Sequence, residues 1–94
     1  MNRGEQLLTI LSEENSEVIQ AITKAIRFGV FEGRDIAETN LVRLRAEIKD
    51  VRALIEMVEH EFNIDLSSSP EDIVAKKAKV ERYLIYSKEC GTLA

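Results

Sequence analysis

The chain has 94 residues, of which 45% are hydrophobic and 32% charged, a composition typical of a single soluble globular domain. Its formal net charge of −4 argues against the strongly basic surface of a protein that binds nucleic acid or anionic membranes. No apolar run approaches the about 20 residues of a membrane span. We therefore expect one domain over residues 1–94, with neither nucleic acid nor membrane among its partners.

The small number of glycine and proline residues indicates the fold class, and the single cysteine indicates the cellular compartment. With four glycines and one proline, the sequence favours a few long helices over many short strands. Cys90 is the only cysteine, so no internal disulfide forms, which fits a reducing cytoplasm. Residues 1–14 lack the long apolar region of a signal peptide. We expect an all-α protein in the cytoplasm.

The first predicted helix covers residues 3–28. Asn2 can cap its start, with Glu5 as the partner that a capping box requires. At 100° per residue, one arc of this helix is apolar. This arc comprises Leu7, Leu11, Val18, Ile22 and Ala25. A second apolar seam consists of Leu8, Ile19 and Ile26. Two seams predict contacts with more than one neighbouring helix.

The second predicted helix runs to about Phe62. Gly29 is the predicted C-cap of the first helix, and residues 30–39 connect the two. Either Thr39 or Asn40 caps the second helix. Its apolar arc comprises Leu44, Val51, Ile55, Val58 and Phe62.

The third predicted helix begins at Pro70, after a connection over residues 63–69. Ser69 is a suitable N-cap, and proline is favoured in the first turn. The helix ends near Cys90. We expect an all-α fold with three main helices, the first two long and antiparallel, which form a four-helix-bundle core when the chain dimerises.

Acidic residues interrupt both apolar arcs in the same way. Glu14 lies inside or beside the arc of the first helix, and Glu17 lies at its edge. Glu47 and Asp50 repeat this arrangement on the second helix. Burying such charges is costly unless something compensates them. Because Mg²⁺ prefers oxygen ligands, these four acids form a candidate Mg²⁺ site between the two helices.

A simpler interpretation of these acids is also open. The chain has 17 acidic residues, so pairs of acids three residues apart also arise by chance. Glu47 can pair with Arg43 on the preceding turn, and partly exposed acids need no metal. Spacing alone does not decide between the two interpretations.

The acids and their flanking residues together resemble a known family. Glu14 and Glu17, followed after 29 residues by Glu47 and Asp50, resemble the ExxE…ExxD pattern of MazG-like all-α nucleoside triphosphate pyrophosphohydrolases. The segment LLTILSEENSEVIQAITKAIRFG resembles their first motif helix, and NLVRLRAEIKDVRALIEMVE resembles their second. The segment KKAKVERYLIYS resembles a basic C-terminal helix of small members. The similarity covers most of residues 5–88.

The resemblance implies an enzyme that hydrolyses a nucleoside triphosphate, often a deoxynucleotide, to the monophosphate and pyrophosphate. It implies Mg²⁺ held by the same four acids. It also implies a homodimer or homotetramer with helices of more than one chain around each site. A carboxylate then takes the proton of the attacking water, and Glu14 and Glu17 are the candidates for this catalytic base.

A triphosphate also needs cationic contacts. The third predicted helix carries a basic cluster, which consists of Lys76, Lys77, Lys79 and Arg82. Lys24 points to nearly the same side of the first helix as Glu17 and is a further candidate. Members of the family often have an asparagine on the last helix, where this chain has Val80 or Glu81, so the contacts to base and sugar stay unassigned. A solvated basic face is the simpler interpretation of any one of these lysines.

A second class of function is compatible with the same sequence. The chain can be a non-catalytic dimeric helical module that binds a partner helix through its extra apolar seam, or a family member without turnover. This hypothesis predicts no dependence on Mg²⁺. It also predicts that Glu14→Gln is neutral or stabilising, because the substitution removes a buried unpaired charge.

Overall fold

The computed structural model describes all 94 residues and contains three α-helices and no β-strand. Helix α1 spans Arg3–Phe28, α2 spans Asn40–Phe62 and α3 spans Pro70–Glu89. The predicted all-α fold is confirmed, with helix ends within about one residue of expectation. A one-turn 3₁₀ helix, Ile36–Glu38, lies between α1 and α2 and was not predicted. None of the helices has the length and hydrophobicity needed to cross a bilayer.

Local signals in the sequence set the helix ends. The Asn2 side chain accepts a hydrogen bond of 2.8 Å from the backbone N–H of Glu5. At the start of α3, Ser69 and Asp72 cap each other reciprocally, as in a capping box. Gly29 ends α1 with a φ of 107°, a conformation that residues with a side chain avoid. These signals explain why the helix boundaries are predictable.

Helices α1 and α2 form an antiparallel hairpin. At one end, the Phe62 ring of α2 packs on Gly4 of α1, where an added Cβ would lie 2.6 Å from the ring. At the other end, the buried Asn40 side chain donates a hydrogen bond of 2.9 Å to the Gly29 carbonyl. The start of each helix therefore meets the end of the other.

The interface between α1 and α2 buries few side chains. Leu7, Ala25 and Val58 are the only buried hydrophobic residues of the chain. Five other members of the predicted arcs are half-buried: Leu11, Val18, Leu44, Val51 and Ile55. The predicted second seam of α1 is exposed, which includes Leu8, Ile19 and Ile26. The hairpin alone thus fully buries few of its predicted apolar residues and leaves the second seam of α1 in water.

Helix α3 contacts neither α1 nor α2. All of its residues are exposed except Ser87, which is half-buried. The Cα radius of gyration is 16.8 Å, whereas a compact domain of this length has about 12 Å. The accessible surface is 7676 Å², about 2,000 Å² more than a compact monomer of this mass exposes. The isolated chain is therefore extended.

Candidate functional site

Three of the four predicted acids meet in the middle of the hairpin. One carboxylate oxygen from each of Glu14, Glu47 and Asp50 lies within 4.8 Å of the others. Glu17 is not part of this group of three, but its charge raises the pKa of both Glu14 and Glu47, so its carboxylate lies beside theirs. We call these four residues the carboxylate cluster. Oxygen atoms this close can share one cation.

Apolar side chains on both helices hold the carboxylate cluster in the interface. One turn before and after Glu14 lie Leu11 and Val18, and the equivalent neighbours of Glu47 are Leu44 and Val51. All four apolar neighbours are half-buried. Because residues three and four apart share a helix face, packing these neighbours also turns both glutamates inward.

Two oxygens of the carboxylate cluster lack hydrogen-bond partners. Oε2 of Glu14 and Oε2 of Glu47 are both buried and accept no hydrogen bond. A buried acceptor without a donor keeps the full cost of its lost hydration. Glu17 and Asp50 are exposed, so water or a ligand reaches the cluster from one side. The donor set is oxygen only and anionic, which fits a hard divalent cation.

The salt-bridge interpretation of Glu47 is wrong. Glu47 forms no ion pair. The guanidinium of Arg43 instead donates a hydrogen bond of 3.3 Å to Oδ1 of Asn40. No cation of the chain therefore compensates the carboxylate cluster.

Crowding raises the pKa of two members of the cluster. For Glu14, burial is the largest cause of the raised pKa, followed by the charges of Glu17 and Asp50. For Glu47, the hydrogen bond with Glu17 is the largest cause of the raised pKa, followed by burial. Like charges and lost hydration both disfavour the ionised form. A cation bound here would displace protons and would bind less well at low pH.

A polar cavity of about 370 Å³ opens beside the carboxylate cluster. Its lining consists of Glu17, Gln20, Ala21, Lys24, Asn40, Arg43 and Glu47. Toward the connecting loop, Lys24 follows Glu17 by two turns of α1, and Arg43 precedes Glu47 by one turn of α2. The cavity is thus acidic at one end and basic at the other.

Arg43 and Asn40 are residues of this cavity that the sequence analysis did not assign to the site. Asn40 is 3% exposed, and its amide donates to the Gly29 carbonyl and to a carboxylate oxygen of Glu32. Its own oxygen accepts the bond from Arg43. The spacing of four residues between Arg43 and Glu47 was a usable signal, since it places both on one helix face.

The predicted cations fall into two groups. Lys24 lines the polar cavity. The basic cluster of α3 lies outside it within one chain, since α3 contacts neither α1 nor α2. This cluster consists of Lys76, Lys77, Lys79 and Arg82. The Lys79 ammonium lies 5.9 Å from the centre of the Tyr83 ring, its neighbour on α3.

Comparison with known proteins gives no information on the function of this site. No protein-family model, no curated protein and no solved structure matches the chain. The resemblance to MazG-like enzymes accordingly stays a prediction.

Proposed function

We propose that the chain is a Mg²⁺-dependent nucleoside triphosphate pyrophosphohydrolase of the MazG-like type. It converts a ribo- or deoxynucleoside triphosphate and water to the monophosphate and pyrophosphate. One observation carries the proposal: a carboxylate cluster with two unpartnered buried oxygens opens into a cavity that also holds two cations. A metal–triphosphate complex needs both kinds of group side by side.

The carboxylate cluster is the proposed metal site, with Glu14, Glu17, Glu47 and Asp50 as ligands. The orphaned oxygens of Glu14 and Glu47 support this, because a cation would supply the partner that the protein lacks. Bound Mg²⁺ would neutralise charge on the phosphates and help to orient the attacking water.

A carboxylate of the cluster is the proposed base. The water oxygen forms a bond to the α-phosphorus, and the bond from that phosphorus to the bridging oxygen breaks. Pyrophosphate leaves with the electron pair, and the proton of the water passes to Glu14 or Glu17. Of these two candidates, Glu17 borders the open cavity.

Lys24 and Arg43 are the proposed contacts of the β- and γ-phosphates. They lie beyond the carboxylates in the same cavity, whose lining includes one hydrophobic residue, Ala21. A lining this polar suits a phosphate chain better than a base, which prefers aromatic or apolar walls. The base is therefore expected at the mouth of the cavity.

A homodimer or homotetramer is the proposed active unit, in which a second copy completes a four-helix bundle. The chain alone has six buried residues and about 2,000 Å² of surplus surface. Stable interfaces bury about 800 Å² per partner. A second chain can also bring the basic cluster of α3 to the cavity, as the resemblance implies.

A non-catalytic helical module is the second candidate function. The observation in its favour is the exposed apolar seam of α1, in which Ile19 and Ile26 are 64% and 78% exposed. Such a seam also fits a partner helix of another protein. The helical module would have no use for the polar cavity, which Glu17 and Lys24 help to line.

The proposal is tested by incubating the protein with a panel of nucleoside triphosphates and measuring the release of pyrophosphate. The wild-type protein with Mg²⁺ is expected to release pyrophosphate and the monophosphate from at least one triphosphate. Glu14→Gln and Asp50→Asn are expected to remove this activity while the helices, followed by circular dichroism, stay folded. Turnover retained in both variants would contradict the proposed site and favour the helical module.

A further inference from the structure

The side of α2 next to the one that faces α1 carries apolar residues in a heptad repeat and two opposite charge patches. We propose that this face pairs antiparallel with α2 of a second copy of this chain. The apolar positions recur every seven residues: Leu41, Ile48, Ile55 and Phe62. Seven-residue spacing is the pattern of packed helix pairs. The proposal concerns assembly and holds whether or not the chain is an enzyme.

The apolar part of this face is partly open in the single chain, although one side of the Phe62 ring packs on Gly4 of α1. Leu41 and Phe62 are 44% and 48% exposed, and Ile48 and Ile55 are half-buried. A groove of about 480 Å³ runs along the first half of the face. Its lining consists of Leu41, Val42, Leu44, Arg45, Ile48, Lys49 and Arg52. The groove therefore has an apolar floor with a basic rim.

The three cations of the rim have no partners in the chain. Arg45, Lys49 and Arg52 form no ion pair. They lie three and four residues apart on one helix face, where like charges repel. The whole chain carries a net charge of −4, so the sign of this patch is opposite to that of the chain as a whole. An unpaired basic stripe beside an apolar floor fits an acidic amphipathic helix.

The second half of α2 provides such a helix. Glu56 and Glu59 lie on the same face as the apolar heptad, by the 100° step. Glu56 forms no ion pair, and Oε2 of Glu59 accepts a hydrogen bond of 2.8 Å from the Leu66 N–H, which fixes its position. One helix thus carries the basic patch and its acidic complement at opposite ends.

Antiparallel pairing brings these ends together. A two-fold axis near residues 51–52 places Ile48 opposite Ile55 of the partner subunit. The same register places Leu41 opposite Phe62 of the partner subunit. The apolar heptad then pairs with itself over its whole length.

The charged residues match in the same register. Arg45 lies within about 3 Å along the helix axis of Glu59 of the partner subunit. Lys49 lies within the same axial distance of Glu56 of the partner subunit. Both pairs occur twice, because the interface is two-fold symmetric.

The other helices of a second copy fit this groove less well. The half of α1 over residues 18–28 carries Lys24 and Arg27 and no acid. On α3, Lys76 and Lys77 flank the apolar stripe of Ile73, Val80 and Leu84. The α3 stripe and this half of α1, which carries the exposed Ile19 and Ile26, would set cations against the basic rim, whereas the acids of α1 lie in its other half. Of these three apolar surfaces, that of α2 is the one that brings acids to the basic rim.

Crosslinking of single cysteines tests the geometry. In a Cys90→Ser background, Arg52→Cys lies beside its own copy across the two-fold axis. Arg45→Cys lies on the same face but about 20 Å from its copy along the helix axis. A short bismaleimide is expected to give a covalent dimer with Arg52→Cys and not with Arg45→Cys. Equal crosslinking of both, or of neither, would overturn the proposal.

A charge exchange tests the contacts. Lys49→Glu and Glu56→Lys are each expected to raise the dimer dissociation constant roughly tenfold, measured by sedimentation. The double variant is expected to restore it. Because the two residues are seven apart on one helix, about 10 Å, they do not meet within a chain. Arg34→Glu, in the loop, is the control that leaves association unchanged. No weakening by the single variants, or no recovery in the double variant, would contradict the pairing.

Discussion

The ends of the α1–α2 interface and its middle are built from opposite kinds of residue. At the ends, Leu7, Ala25 and Val58 are buried among apolar neighbours. In the middle, Glu14 and Glu47 each bury a carboxylate oxygen without a hydrogen-bond partner. The apolar ends stabilise the hairpin, whereas burial of the two unpartnered carboxylate oxygens in the middle destabilises it. The residues in the middle therefore do not serve stability, which supports the proposed metal site.

Removing one acid from the middle is expected to have the largest effect. Glu47→Gln removes a proposed metal ligand, so turnover is expected to fall at least about 100-fold. The same change removes a buried unpaired charge, so the metal-free melting midpoint is expected to rise. Pyrophosphate release and a thermal melt measure the two effects. Glu13→Gln, an exposed neighbour of Glu14, is the control. If both variants behave alike, the carboxylate cluster has no special role.

Shortening a side chain at the end of the interface is expected to act on stability alone. Leu7 is 5% exposed, and Leu7→Ala is expected to cost about 3 kcal/mol in the free energy of unfolding. Urea denaturation at a fixed protein concentration measures the change. Leu93→Ala, at the exposed C-terminus, is the matched control and is expected to stay within about 0.5 kcal/mol. A small effect of Leu7→Ala would mean that the hairpin end does not stabilise the chain.

Removing a cation of the polar cavity is expected to weaken substrate binding. Arg43→Ala removes a charge-assisted contact to phosphate worth about 1.5–3 kcal/mol, so KM is expected to rise tenfold or more. Steady-state kinetics with Mg²⁺ separate KM from kcat, and Arg34→Ala is the control. An unchanged KM would remove Arg43 from the proposed phosphate contacts.

A pH series is expected to show a smaller effect with a definite sign. The pKa values of Glu14 and Glu47 are raised above the ordinary value of 4.5, so the folded chain binds more protons than the unfolded chain. Lowering the pH from 7 through the raised pKa values therefore stabilises the metal-free protein, and the contribution is lost as pH rises again.

The double variant Glu14→Gln/Glu47→Gln isolates this contribution from the other carboxyl groups. Its melting midpoint is expected to change less over the same pH range than that of the wild-type protein. Asp65 acts in the opposite direction, because its hydrogen bonds with Ser67 lower its pKa. Identical pH profiles for the two proteins would contradict the raised pKa values.

Periodicity and capping residues made the helices and the inward-facing acids predictable. Asn2 and Ser69 act through neighbours within one turn, so short-range chemistry fixes where α1 and α3 begin. Glu14 and Glu47 could be found because a helix face is set by the 100° step.

Longer-range features were not predictable from the sequence. Periodicity shows that α3 has apolar residues but not what covers them, and α3 contacts neither α1 nor α2. The position of Arg43 depends on the buried Asn40, which is itself fixed by the loop through Gly29 and Glu32. Such a chain of hydrogen bonds across eleven residues leaves no simple pattern in the sequence.

The response of the melting midpoint to Mg²⁺ tests the proposed metal site most directly. Purified wild-type protein and Glu14→Gln are melted with and without millimolar Mg²⁺ at the same protein concentration. A ligand that binds the folded state stabilises it, so Mg²⁺ is expected to raise the wild-type midpoint and to leave that of Glu14→Gln unchanged. An equal rise of the midpoint in both proteins would contradict the proposed metal site. So would the absence of any rise in the wild-type protein, if the Glu14→Gln variant also hydrolysed nucleotide at the wild-type rate.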